Sequence, residues 1–170
     1  MDVTCTAITR RRLLRIAASL IPVSSAASAQ NLVAALEHAT IGAITEIDDE
    51  HDRPFNPQGE ASSIVRVADR PGRRGTRWFS YDVPADRSNA VAVVVTYNTL
   101  NDRPRTFDVL VDGERVAEEY LPARSIVEFF DVHYGIPAGL ATAKSRLTVR
   151  FVATEGNEIA PVFAIRTVRA

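Results

Sequence analysis

From residue 77 onward, short apolar runs alternate with polar turns at the two-residue period of half-buried strands. The clearest run spans residues 105–113, where Phe107, Val109 and Val111 alternate with Asp108, Leu110 and Asp112. Asp112-Gly113 then supplies the positive φ of a tight hairpin turn, and residues 114–121 form the returning arm. Phe79, Tyr81 and Val83 alternate with Trp78, Ser80 and Asp82 in the same way. Val91, Val93, Val95 and Tyr97 make one face of a long strand. Val94 makes the other face apolar too, which predicts a central strand covered on both sides. Residues 126–136 read as a strand ended by Gly135 and Pro137. Residues 146–153 alternate through Leu147, Val149 and Phe151, and residues 162–168 supply the last strand. With no strong helix after residue 45, these runs predict an all-β antiparallel β-sandwich of jelly-roll, galactose-binding-like type.

Between the strands, residues 45–52 are an acidic cluster and residues 53–59 a loop. Residues 62–67 predict a short strand, and residues 70–75 (RPGRRG) a basic, flexible loop. Residues 98–104 form a polar loop leading into the hairpin, and residues 154–160 a loop around Gly156-Asn157.

The N-terminus follows another grammar. Arg10, Arg11, Arg12 and Arg15 precede an apolar run over residues 16–23 and the small-x-small site Ala27-Ser28-Ala29. Residues 1–29 thus read as a twin-arginine-type export signal, which implies a periplasmic or secreted protein. The apolar run is far short of the ~20 residues that span a bilayer, so no membrane partner is expected. Leu32, Leu36 and Ala39 at roughly helical spacing predict a spacer or short helix over residues 30–45, with the sandwich domain over residues 46–170. The whole chain carries a net charge of −1. Removing the leader takes away four arginines against Asp2 and leaves a more acidic domain, a poor fit to nucleic acid. The single cysteine, Cys5, lies in the leader, so the rest of the chain offers no disulfide, thiolate nucleophile or cysteine-held metal.

Catalytic chemistry finds little support. No serine sits in a Gly-x-Ser-x-Gly turn, and the histidines are His38, His51 and His133. His51 beside Asp48, Asp49, Glu50 and Asp52 is the one His–carboxylate cluster. It reads as a solvated acidic loop, with structural Ca²⁺ as the alternative, and no cofactor is expected. Many carboxylate pairs exist, but none has the signature of a glycosidase. Sugar binding needs less: an aromatic platform for the ring and a few polar groups for its hydroxyls. The platforms on offer are Trp78, Tyr97, Tyr120, His133 and Tyr134. The polar groups are Asn98, Asn101, Asp102, Arg103, Arg105, Asn157 and Glu158. Trp78, Tyr97, Asn98, Asp102, Arg103, Arg105, Asn157 and Glu158 form the candidate contact surface, while Tyr81, Phe107 and Phe129 or Phe130 read as core.

The strand motifs also form an ordered series: Arg77-Trp78-Phe79-Ser80-Tyr81, Thr96-Tyr97, residues 105–113 (RTFDVLVDG), residues 129–137 (FFDVHYGIP), Leu147-Thr148-Val149-Arg150-Phe151, Gly156-Asn157 and Val162-Phe163. Across roughly residues 46–170 this series resembles the C-terminal β-sandwich of bacterial β-L-arabinofuranosidases of glycoside hydrolase families 127 and 146, substrate-binding in the latter. In those enzymes a preceding barrel carries catalysis with a cysteine nucleophile and zinc. None of those residues has a counterpart here. The resemblance therefore implies a non-catalytic accessory domain for carbohydrate, arabinose-containing glycans in particular, with a glycoside hydrolase as partner. The alternatives are a protein-docking sandwich and an orphaned hydrolase fragment.

Overall fold

The computed structural model describes residues 39–89 and 91–170. The export signal of residues 1–29 and the spacer residues 30–38, with Cys5 and His38, lie outside them. Among the described residues no helix is long and apolar enough to cross a membrane. The described residues form ten strands in order: β1 (Thr40–Ile44), β2 (Gln58–Val67), β3 (Arg70–Pro84), β4 (Val91–Asn98), β5 (Arg105–Val111), β6 (Glu114–Leu121), β7 (Phe129–Gly135), β8 (Arg146–Ala153), β9 (Ile159–Val162) and β10 (Ala164–Arg169). They build two antiparallel sheets. One runs β1-β10-β4-β7. The other runs β2-β3-β8-β5-β6, with β9 paired to β3. This is the expected β-sandwich.

Alternation fixes the core. Phe79, Tyr81 and Val83 of β3, Phe107, Val109 and Val111 of β5, and Leu147, Val149 and Phe151 of β8 all point inward. They meet Val91, Val93, Val95 and Tyr97 of β4 and Ile165 of β10. All eight residues of β4 are buried. Its outer face (Ala92 and Val94) packs with Val168 and Ala39, as the two-sided apolar pattern predicts. The β5–β6 hairpin turns through Asp112 (φ 49°) and Gly113 (φ 87°), both left-handed as a type I′ turn requires. Asp112 also ties the turn to β8, since its carboxylate accepts from Thr148 N at 2.7 Å and from Lys144 Nζ at 2.6 Å.

Three sequence expectations are corrected. The spacer or helix of residues 30–45 ends in β1, whose Ile44 pairs with Ile165 and is buried in the core. Residues 70–75 are not a loop but the first half of β3, paired to β2 and β9. Their glycine works by permitting close approach: a Cβ on Gly72 would lie 2.7 Å from the Phe163 ring. The β2–β3 turn also hides, because Ala68 (φ 48°) and Asp69 (φ 63°) fill positions that usually take Asn-Gly. Finally, the strand read over residues 126–136 begins only at Phe129. Ile126 and Val127 are exposed in the preceding loop, whose backbone is drawn onto the 99–101 loop instead.

A polar knot closes the core beneath the acidic segment. Asp52 is fully buried, and its Oδ2 accepts from Arg73 Nη2 at 3.1 Å and from the Tyr81 hydroxyl at 3.2 Å. Arg73 Nε donates to the same hydroxyl at 2.8 Å. Burial pushes the Tyr81 phenol well above its ordinary range, against the pull of Arg73. Arg73, read from sequence as part of a solvated run, is thus a structural cation.

Phe107→Ala empties a core site, and urea denaturation should show a loss of about 3–5 kcal/mol. A loss under about 1 kcal/mol would remove Phe107 from the core. Asp52→Ala leaves Arg73 only the exposed Asp49 carboxylate at 3.6 Å and should cost about 3 kcal/mol, the low end for breaking a buried pair. Adding Arg73→Met should restore most of that loss. A double variant no more stable than Asp52→Ala would show that the unpaired charge is not the cause.

Candidate functional site

Strand β4 ends in polar residues, and there the sandwich opens. Asn98 Oδ1 accepts from Leu100 N at 2.7 Å, which turns the chain out of the sheet. Because β4 pairs with β7, Asn98 lies opposite Phe129, and the loop after β4 faces the loop before β7. The two are stitched by backbone bonds. Thr99 N donates to Glu128 O at 2.9 Å, and Asn101 and Arg124 exchange both of theirs at 3.0 Å. Glu128 N also donates to Thr99 Oγ1 at 3.1 Å.

Between these loops and the end of β6 lies a cleft of about 390 Å³. Tyr120, Leu121, Pro122 and Phe130 provide its apolar surface, and Tyr120 is 59% exposed. Asn98, Asn101, Glu119, Arg124 and Glu128 provide polar groups. Asn98 and Asn101 are 1% and 4% exposed. Asn98 Nδ2 and Asn101 Oδ1 nonetheless find no partner among the described residues. Asn98 is oriented by the bond its Oδ1 accepts from Leu100 N, while Asn101 Nδ2 makes only long 3.5 Å contacts to the Asn98 and Thr99 carbonyls. The cleft wall thus holds one unused donor and one unused acceptor, each costing about 1–3 kcal/mol if left dry.

Glu119 is held from behind. Tyr134 donates its hydroxyl proton to Glu119 Oε2 at 2.7 Å, so the proton in the 3.0 Å contact between Tyr97 and Tyr134 belongs to Tyr97. Burial raises both phenols above their ordinary range, and they stay neutral donors. Tyr97, expected as a sugar platform, is fully buried. It is a positioning residue two bonds behind the cleft, because its strand is covered on both faces.

The other candidates divide. The 98–105 and 157–158 loops do come together: Glu158 takes Arg103 on one oxygen and Arg105 on the other, while Arg105 Nη2 bonds Asp102 Oδ1 at 2.6 Å. Desolvation opposes the Asp102 carboxylate, but the charge and hydrogen bond of Arg105 outweigh it and hold the carboxyl below its usual range. Asp102 and Arg105 line a second cleft of about 330 Å³ across the loop from the first. Asn157 serves its own turn, donating to Thr154 O at 3.0 Å and Glu155 O at 3.3 Å. Trp78 lies elsewhere, on the outer face of the six-stranded sheet between Glu60 and Val152, with the Arg150 guanidinium 3.7 Å above its ring. Tyr120 and Asn101 appear in the sequence only as two among many polar and aromatic groups. Glu119, Arg124, Glu128 and Phe130 carry no sequence signal, since the β4–β7 pairing, the 101–124 bridge and the end of β6 gather them from separate stretches.

The acidic segment offers a different chemistry. Glu46, Asp48 and His51 each bring a ligand atom within 4.8 Å of the others. His51 Nδ1 already sits 2.9 and 3.0 Å from the two Asp48 oxygens, and Asp48 Oδ1 accepts from the backbone of His51 and Glu50. The bonds from His51 hold the Asp48 carboxyl at about 2, and the bond to Asp48 raises the imidazole. Asp48 and His51 thus already have hydrogen-bond partners within the segment.

No curated protein matches this sequence. Among solved structures, the fold is similar to a family 35 carbohydrate binding module from Clostridium thermocellum. That match has 11% identity and a TM-score of 0.53, and covers 76% of this chain and 99% of that one. The ANX1 ectodomain from Arabidopsis thaliana is similar at 13% identity and a TM-score of 0.52, over 69% of this chain and 35% of that one. At such identities the likeness is one of fold. Residues 35–168 match the model of a family of unknown function, DUF6805, and the chain belongs to that family.

Proposed function

We propose that this protein is an exported, non-catalytic carbohydrate-binding domain, and that the cleft between the 99–104 and 122–128 loops is its site. One observation carries this reading: two asparagines that line a cleft with an exposed tyrosine keep a buried amide donor and a buried amide acceptor unused. A sugar hydroxyl both accepts and donates through one oxygen, so it matches the chemistry of either group. Tyr120 offers a ring face to the apolar side of the sugar, and Glu119, Glu128 and Arg124 offer further bonds. The sandwich shared with a carbohydrate binding module agrees with this reading. Arabinose-containing glycans are the first class to try, on the resemblance to arabinofuranosidase sandwiches. The residue 1–29 pattern supports export to the periplasm or beyond, and that same resemblance supports a glycoside hydrolase as partner.

A second reading has its own support. Leu100, Tyr120, Ile126 and Val127 are the exposed large apolar residues among those described, and all border the two stitched loops. A patch concentrated at one end also suits docking to another exported protein.

Calorimetric titration of the purified protein with arabinose oligomers, and with glucose and galactose oligomers as controls, separates the two. Saturable binding is expected. Tyr120→Ala and Asn98→Ala should each weaken it about tenfold, the equivalent of one lost contact of about 1.4 kcal/mol. Trp78→Ala should leave it unchanged. Binding that depends on Trp78 and not on Tyr120 would move the site to the outer sheet face. No binding to any glycan would favour docking.

A further inference from the structure

The two sheets meet at β6, the edge of the six-stranded sheet, and β7, the edge of the four-stranded one. Glu119 lies opposite Phe107 in the β5–β6 ladder and so shares its face, the one turned to the interior. Tyr134 of β7 reaches across the seam, and its hydroxyl donates to Glu119 Oε2 at 2.7 Å. Behind it Tyr97 is fully buried, and its hydroxyl has one partner among the described residues, the Tyr134 oxygen at 3.0 Å. The Tyr97 proton therefore has one place to go, and the relay runs in one direction, from Tyr97 to Tyr134 to Glu119. Neighbouring carboxylates answer arginines: Asp102 and Glu158 pair with Arg105, and Asp131 with Arg166. Glu119 pairs with no cation among the described residues, and Arg124, on the same cleft, is held there through its backbone. Glu119 is half-buried, and its Oε1 has no partner among the described residues.

We propose that Glu119 is the specificity-determining residue of the first cleft, reading a sugar hydroxyl that donates its proton, and that Tyr134 and Tyr97 position it. The inference rests on the carbohydrate reading of that cleft and adds to it the polarity of one contact. A carboxylate only accepts. With Oε2 held by Tyr134, Oε1 accepts from a free hydroxyl, a charge-assisted bond stronger than one between neutral groups. A sugar unit that presents an acceptor in place of that hydroxyl sets two acceptors against each other in a half-buried site, and a site built around a hydroxyl rejects such an analogue. The ligand is therefore a glycan with a free hydroxyl at this contact. The direction of the relay matters as well. In Glu119→Gln the Tyr134 proton still goes to the side-chain oxygen, so the amide nitrogen takes the place of Oε1 and the contact changes from acceptor to donor.

The test uses trisaccharides of arabinose, galactose and glucose and, for each, the set of analogues with one hydroxyl replaced by fluorine, which is similar in size and has no proton to give. Calorimetry on the purified protein should find one fluoro analogue that binds at least about tenfold more weakly than its parent. Glu119→Gln should bind that analogue and the parent alike, because an amide donor suits fluorine and a hydroxyl oxygen equally. Adding Tyr97→Phe frees the Tyr134 oxygen to accept from the amide, lets the new side chain turn its own oxygen to the cleft, and should reopen the gap. Tyr120→Ala should weaken parent and analogues alike. If the parent binds through Tyr120 but every fluoro analogue binds as well as it does, or if the gap is the same in Glu119→Gln, the assignment of Glu119 is overturned and the first cleft stands. A gap that closes in Glu119→Gln and stays closed after Tyr97→Phe removes the positioning role of Tyr97. The fluoro scan of the unaltered protein decides the matter if Glu119→Gln does not fold. Failure of every trisaccharide removes both readings.

Discussion

A strand buried on both faces has nowhere to put a polar side chain except at its ends, and β4 is such a strand. Its first five residues are apolar, and its last three are Thr96, Tyr97 and Asn98. Each polar group there must find a partner or stay buried at a cost. Thr96 donates to Asp131 at 2.6 Å, and Asp131 accepts from Arg166. Tyr97 hands its proton along to Tyr134, which holds Glu119. Asn98 turns the chain outward and leaves its amide donor free. The demand that a buried strand satisfy its polar end thus sets both the start of the loop and one wall of the cleft.

The parts of the fold legible in the sequence are those where local pattern and tertiary need agree. In β5 and β8 the two-residue period, the Asp112-Gly113 turn and the inward aromatics all give the same answer. Residues 70–75 fail for a physical reason. Gly and Pro usually punctuate a chain, but in this stretch a glycine admits the Phe163 ring, and Arg73 turns inward to a buried carboxylate. Strand β1 fails because its alternation is short and its partner, β10, lies at the far end of the sequence.

The site was legible in its chemistry and only partly in its place. The sequence shows that Asn98, Asp102, Arg103, Arg105 and Glu158 are polar and lie in or beside loops, and the structure does bring these loops together. Arg103, Arg105 and Glu158 then spend their charge on one another, which sequence position alone cannot disclose. Tyr97 shows the opposite error. An aromatic beside a loop reads as a platform until the sheet pairing shows that its ring is sealed in the core, while Trp78 lies on the outer sheet face away from these loops.

An unpaired buried donor or acceptor costs about 1–3 kcal/mol, a sizeable share of a domain's net stability of about 5–15 kcal/mol. Asn98 and Asn101 impose that cost twice, a few residues apart, beside loops that are otherwise tightly cross-bonded. Departures of this kind from self-consistency gather where a protein meets something else. The neighbouring ion network follows the same logic. Asp102, Arg105 and Glu158 stiffen the loop wall that separates the two clefts, so that whatever fills them meets groups already in place.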